Sequence, residues 1–115
     1  MNRSPWLQIA VVPFIVACSS SAPEPSTGID GKPDPVLTLG REVWLQNCAS
    51  CHGDDGGGTS RGVKLNDGQV IEAFPNSADQ TQLILNGTGR MPSFSGDLNE
   101  SELEAVVRYI RELLA

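Results

Sequence analysis

The five residues Cys48-Ala49-Ser50-Cys51-His52 hold the chain's only histidine and two of its three cysteines. No other feature restricts the fold as tightly. On a helix, positions i, i+3 and i+4 share one face, so two thiols and an imidazole converge on one small area. Three ligands do not complete a structural zinc site, which takes four, and Cys51 and His52 are sequence neighbours. A C-x-x-C redox pair of the thioredoxin kind needs a βαβ setting, whereas the flanks here have helical patterning. The cluster asks for a group that the polypeptide does not itself contain.

The 115 residues allow one domain and two extensions. A net charge of −6 excludes a nucleic-acid surface and adhesion to anionic lipid. Pro5 to Ala17 is an uncharged apolar run behind Arg3. It is shorter than the roughly 20 residues of a membrane-spanning helix and contains Pro13, so residues 1–17 are expected to be a secretory signal. Ile15-Val16-Ala17-Cys18 resembles the lipobox of bacterial lipoproteins, which implies a lipid anchor on Cys18; the other reading is a plain signal peptide that removes or ignores this cysteine. Residues 18–35, rich in Ser, Pro, Gly and acidic side chains, are expected to form a flexible tether. The folded domain is then 36–115.

Within that domain the pattern is helical throughout. Thr38 is the expected N-cap of a first helix carrying Leu39, Val43, Trp44 and Leu45 into the cysteine cluster. Gly53-Asp54-Asp55-Gly56-Gly57-Gly58 is a loop. Ser77 and Gln80 match a capping box before Leu83, Ile84 and Leu85, and Gly87 ends that run. Asn99 and Glu102 repeat the box ahead of a Leu103, Val106, Val107, Ile110, Leu114 stripe. A short helical turn is expected at 70–74, before Pro75. No strand stands out. The fold class is all-α, with three to four short helices and long loops. Such a domain, with so few aromatic residues, has a thin core; a large apolar guest would fill it.

C-x-x-C-H in an exported chain is the attachment spacing for covalent haem. It accounts for both thiols and the imidazole at once: Cys48 and Cys51 form thioethers to the vinyl groups, and His52 reaches the iron. One haem c per chain is expected. The opposite axial ligand follows by elimination. His52 has no second histidine to pair with, Met1 leaves with the signal, and Met91 is then the one methionine of the mature chain. It stands in Gly87-Thr88-Gly89-Arg90-Met91-Pro92, where Pro92 disfavours helix and the glycines permit close approach. Lys32 and Lys64 are remote alternatives, and core packing is the competing role for Met91. Arg61 and Arg90 either pair with haem propionates or lie exposed. Asp54 and Asp55 do not match a calcium loop.

Taken together, Cys48-Ala49-Ser50-Cys51-His52-Gly53, Gly89-Arg90-Met91-Pro92 and the terminal amphipathic helix make residues 36–115 resemble a small class I bacterial c-type cytochrome. The resemblance implies the cytochrome c-like fold, with the first and last helices crossing at Gly40, Trp44 and Tyr109. It also implies single-electron transfer rather than bond-making catalysis, with redox proteins as partners and no small-molecule substrate or nucleic acid. The expected setting is the periplasmic side of a bacterial membrane, lipid-anchored or otherwise soluble. The acidic balance suits a partner with a basic docking patch. A haem-based gas sensor or binder, with the sixth ligand absent or displaceable, is the alternative. A fixed relay within a larger complex is a variant of the carrier role.

Overall fold

A computed structural model describes residues 12–13 and 21–115. Cys18 and most of the 1–17 leader lie outside the described residues. Helix α1, Pro35–Asn47, starts at Asp34, whose Oδ1 accepts from the N–H groups of Val36 and Leu37 at 2.8 and 3.3 Å. Thr38 is therefore not the N-cap but a helical residue, and its hydroxyl donates to the Asp34 carbonyl. The reason is Pro35, which suits the first helical position because its missing N–H would be unpaired there anyway. Asp34 also receives Arg108 at 3.1 Å. The Val36 N–H, and then the Arg108 guanidinium, hold its carboxyl below the usual carboxylate range.

Helix α2, Ala49–His52, is one turn that follows the backbone break at Cys48. Helix α3 is Gln69–Ala73 and α4 is Ser77–Asn86. The cap of α4 is Asn76, whose side chain accepts from the Ala78 N–H at 3.0 Å. Ser77 and Gln80 thus do not form the expected box. Gln80 is buried instead and accepts from Arg111 at 3.1 Å. Helix α5, Glu100–Tyr109, does carry its capping box, with both Asn99–Glu102 bonds at 2.9 Å. It runs on into a π-helical turn, Ile110–Leu114. Among the described residues there is no strand, only isolated bridges at Thr27–Pro33 and Thr88–Met91.

The crossing of α1 over α5 organises the molecule. Every residue of the expected stripe on the last helix is buried, together with Ala105 and Tyr109. Trp44 and Tyr109 are fully buried, with ring centroids 6.4 Å apart. The helices meet at Gly40, where an added Cβ would lie 2.2 Å from the Ala105 carbonyl oxygen. Only glycine allows that approach. A second, smaller cluster of Ile84, Leu103 and Val107 joins α4 to α5, with Met91, Phe94 and Leu98 packed against it.

Part of the stretch expected to be a tether is in contact with this core. Ala22 is buried in the same apolar cluster as Trp44 and Tyr109, and the Tyr109 hydroxyl donates to the Pro23 carbonyl at 2.8 Å. Burial pushes the Tyr109 hydroxyl pKa up to about 12.

Candidate functional site

Trp44 fixes where the cysteine cluster begins. The Cys48 N–H donates to the Trp44 carbonyl at 2.9 Å, and the Cys48 carbonyl then starts α2 by accepting from His52 at 3.0 Å. The indole N–H of Trp44 donates to the Asp54 carbonyl at 2.9 Å, so one buried side chain ties both flanks of the cluster. Cys48 and Cys51 are free thiols, each half-buried. Burial, and then the neighbouring Cys51, push the Cys48 thiol up to about 11, so it is neutral at pH 7.

A four-residue helix has more unpaired carbonyls than it can satisfy alone. The loop 58–63 satisfies them. Arg61 donates to Ser50 at 2.7 Å, the Thr59 hydroxyl to Cys51, and the Gly58 N–H to His52 at 2.7 Å. Gly62 makes this fit possible, since a Cβ there would lie 2.6 Å from the Cys51 carbonyl oxygen and 3.0 Å from His52 Nδ1. The next residue acts on the imidazole directly: His52 Nδ1 lies 2.8 Å from the Val63 carbonyl oxygen. A carbonyl only accepts, so Nδ1 carries the proton and Nε2 keeps its lone pair for a metal.

Met91 belongs to a tight turn, with Thr88 and Met91 exchanging backbone bonds of 3.1 and 2.8 Å. Gly87, at φ +71°, lies so close that a Cβ would be 2.6 Å from the Met91 carbonyl oxygen. The turn is linked to the histidine loop, because Arg90 donates to the Ser60 carbonyl at 3.3 Å. Arg61 and Arg90 are both exposed and bonded to backbone carbonyls. Lys32 and Lys64 are exposed.

These residues suit a covalently held haem. The two thiols are unpaired, one imidazole nitrogen is left with a free lone pair, and a thioether stands on a loop tied to the same region. Partly buried Leu65, Phe74, Phe94 and Leu98 supply apolar surface. Among the described residues, no three His, Cys, Asp or Glu side chains are grouped to hold a bare metal ion. The larger groove, about 500 Å³, lies away from this chemistry, between α4 and α5. A cleft of about 170 Å³ between Arg61, Val63 and Arg90 adjoins it. Thr59, Gly62 and Val63 were not among the expected site residues; a glycine ten positions beyond the cluster carries no local signal of its role.

The model for cytochrome C oxidase, cbb3-type, subunit III matches residues 35–110. Cytochrome c6 of Leptolyngbya boryana is 35% identical over 75 residues, covering 62% of this chain and 85% of its own length. Cytochrome c-551 of Bacillus subtilis (strain 168) is 29% identical over 100 residues, covering 86% and 84%. Among solved structures, the KustC0563 c-type cytochrome is similar with a TM-score of 0.58 at 27% identity, covering 66% of this chain and 98% of its own. The helical crossing, the cysteine–histidine turn and these matches give one conclusion: the chain belongs to the class I c-type cytochromes, small electron-transfer proteins with a single covalently bound haem c.

Proposed function

We propose that Cys48 and Cys51 carry the two thioether links, that His52 Nε2 and the Met91 sulfur occupy the two axial positions, and that Cys18 bears a lipid. On this reading the protein is a tethered periplasmic electron carrier or relay between redox proteins. When bound, the haem supplies one reversibly held electron. The chain supplies the rest. Val63 holds the imidazole in the ligating tautomer and makes it more basic. The thioether is neutral and soft, which raises the reduction potential. With both positions filled there is no place for a substrate, and His52, as the only histidine, leaves no second one to serve as a base. The membrane assignment is supported by the Ile15–Cys18 resemblance; among the described residues, no helix is long and apolar enough to cross a bilayer.

The observation that carries the reading is the Nδ1 bond to Val63, which leaves His52 Nε2 free for the iron. The Met91 half is tested by the visible spectrum of the reduced protein with and without carbon monoxide. The native protein should be unchanged by the gas, and Met91→Ala should bind it readily. Equal binding by both would remove Met91 from the iron.

A further inference from the structure

A segment whose composition predicts a free coil is gripped at one point. Ala22 is 3% exposed. Its carbonyl accepts from Nε and Nη2 of Arg41, both at 3.3 Å, and Glu24 pairs with Arg41 at 2.7 Å. Pro23 accepts from Tyr109. Arg41 is on α1 and Tyr109 on α5, so both helices of the crossing hold the segment. Each side benefits. A fully buried tyrosine hydroxyl needs an acceptor, and Pro23 and Pro25 bring no N–H groups to leave unpaired. Beyond the grip the chain leaves the surface in a turn closed by Gly28 and Lys32, with Ile29 wholly exposed, before Asp34 caps α1.

We propose that Ala22–Glu24 is a clasp that holds the α1–α5 crossing close to the bilayer and restricts the protein to a redox partner embedded in the same membrane. The proposal rests on the reading of Cys18 as the lipid-bearing residue. Whatever path the intervening residues take, the four steps from Cys18 to Ala22 span at most about 14 Å. Residues 18–34 as a free coil would average about 20–25 Å and reach about 60 Å when stretched. The clasp removes most of that reach. The domain then works in a layer little deeper than its own width, at a correspondingly higher local concentration for neighbours in the membrane. A partner embedded in the same membrane stays beside that layer, whereas a carrier in the aqueous phase has to diffuse to it and gains no such local concentration.

Neutron reflectometry of the full-length, lipidated haem protein on a supported bilayer reads the height of the domain. Two variants open the clasp: Ala22→Asp places a charge in the core contact, and Glu24→Lys sets two cations against each other at the surface and spares the core. Both should raise the mean height by about 10 Å, with visible and circular-dichroism spectra unchanged. Should Ala22→Asp disturb the fold, Glu24→Lys decides. Equal heights for Glu24→Lys and the native protein overturn the clasp. Nuclear Overhauser contacts in detergent read the clasp without a membrane: the Ala22 methyl of the reduced native protein should show contacts to the buried α1–α5 core and lose them in Glu24→Lys, and their absence in the native protein overturns it. A Cys18 peptide without acyl chains, from protein that washes off the bilayer, sinks the anchor reading while the contact result still decides the clasp. Washed host membranes should exchange electrons with the bilayer-held protein, oxidising it after reduction by dithionite or reducing it when supplied with a respiratory electron donor; exchange with the soluble fraction alone overturns the partner assignment.

Discussion

Gly40→Ala sets two opposing effects against each other. In an isolated helix the change is favourable by about 1 kcal/mol, because alanine is the better helix former. Here the new Cβ would lie 2.2 Å from the Ala105 carbonyl oxygen, 2.8 Å from the carbonyl carbon and 2.7 Å from Tyr109 Cβ, where ordinary contact begins at 3.4 Å. Two of these atoms are backbone, so no rotamer change relieves the clash. The helices must separate by more than 1 Å along the seam that buries Trp44 and Tyr109. Overpacking of this kind costs about 3 kcal/mol, leaving a net loss of about 2 kcal/mol. For a domain of this size, that is a fall in Tm of about 10–15 °C. The assay is thermal unfolding of the haem-loaded protein followed by far-ultraviolet circular dichroism. Gly96→Ala is the control, since a Cβ there meets nothing within 4 Å; its Tm should move by no more than a few degrees. A Gly40→Ala protein as stable as its parent would refute the crossing as described.

Other outcomes follow from single contacts. Gly62→Ala should push loop 58–63 off α2, cost about 1–3 kcal/mol and, by weakening the Val63–His52 bond, raise the reduction potential measured by spectroelectrochemical titration. Asp34→Asn keeps a capping oxygen but removes the charge. The folded-state pKa of Asp34 is depressed, so its charge stabilises above the unfolded value and that benefit disappears as pH falls through the lower folded value. Denaturant midpoints of parent and variant should therefore differ at pH 7 and converge as pH falls below the usual carboxylate range. Tyr109→Phe should cost about 1 kcal/mol at pH 7 by leaving the Pro23 carbonyl without its donor. The raised tyrosine pKa stabilises fully below about 10, and the benefit is lost as pH climbs to about 12. The parent should weaken across that window in equilibrium unfolding, and the variant should not.

What was legible in the sequence was local. Cys48 to His52 is five consecutive residues with one consistent chemistry. The Asn99–Glu102 box and the apolar stripe behind it are patterns within one helix, and both stand in the structure. Gly40, Trp44 and Tyr109 were placed at the crossing by resemblance, and they meet there. The helix starts were harder because several capping residues compete. Asp34 displaced Thr38 once Pro35 took the first position, and Asn76 displaced Ser77 while Gln80 turned inward to Arg111. The least legible contacts join distant residues through backbone atoms. Val63 supports His52 with a carbonyl, and Pro23 receives Tyr109 from 86 positions away in the same manner. A carbonyl has no side-chain signature, so neither contact shows in composition or spacing.

Intact-mass measurement with peptide mapping, on protein matured in its native host, reads whether the polypeptide holds one iron porphyrin through Cys48 and Cys51. A single species heavier than the polypeptide by one haem is expected, with the added mass on the peptide spanning residues 48–52 and neither thiol open to alkylation. An unmodified peptide with two alkylatable thiols would contradict it.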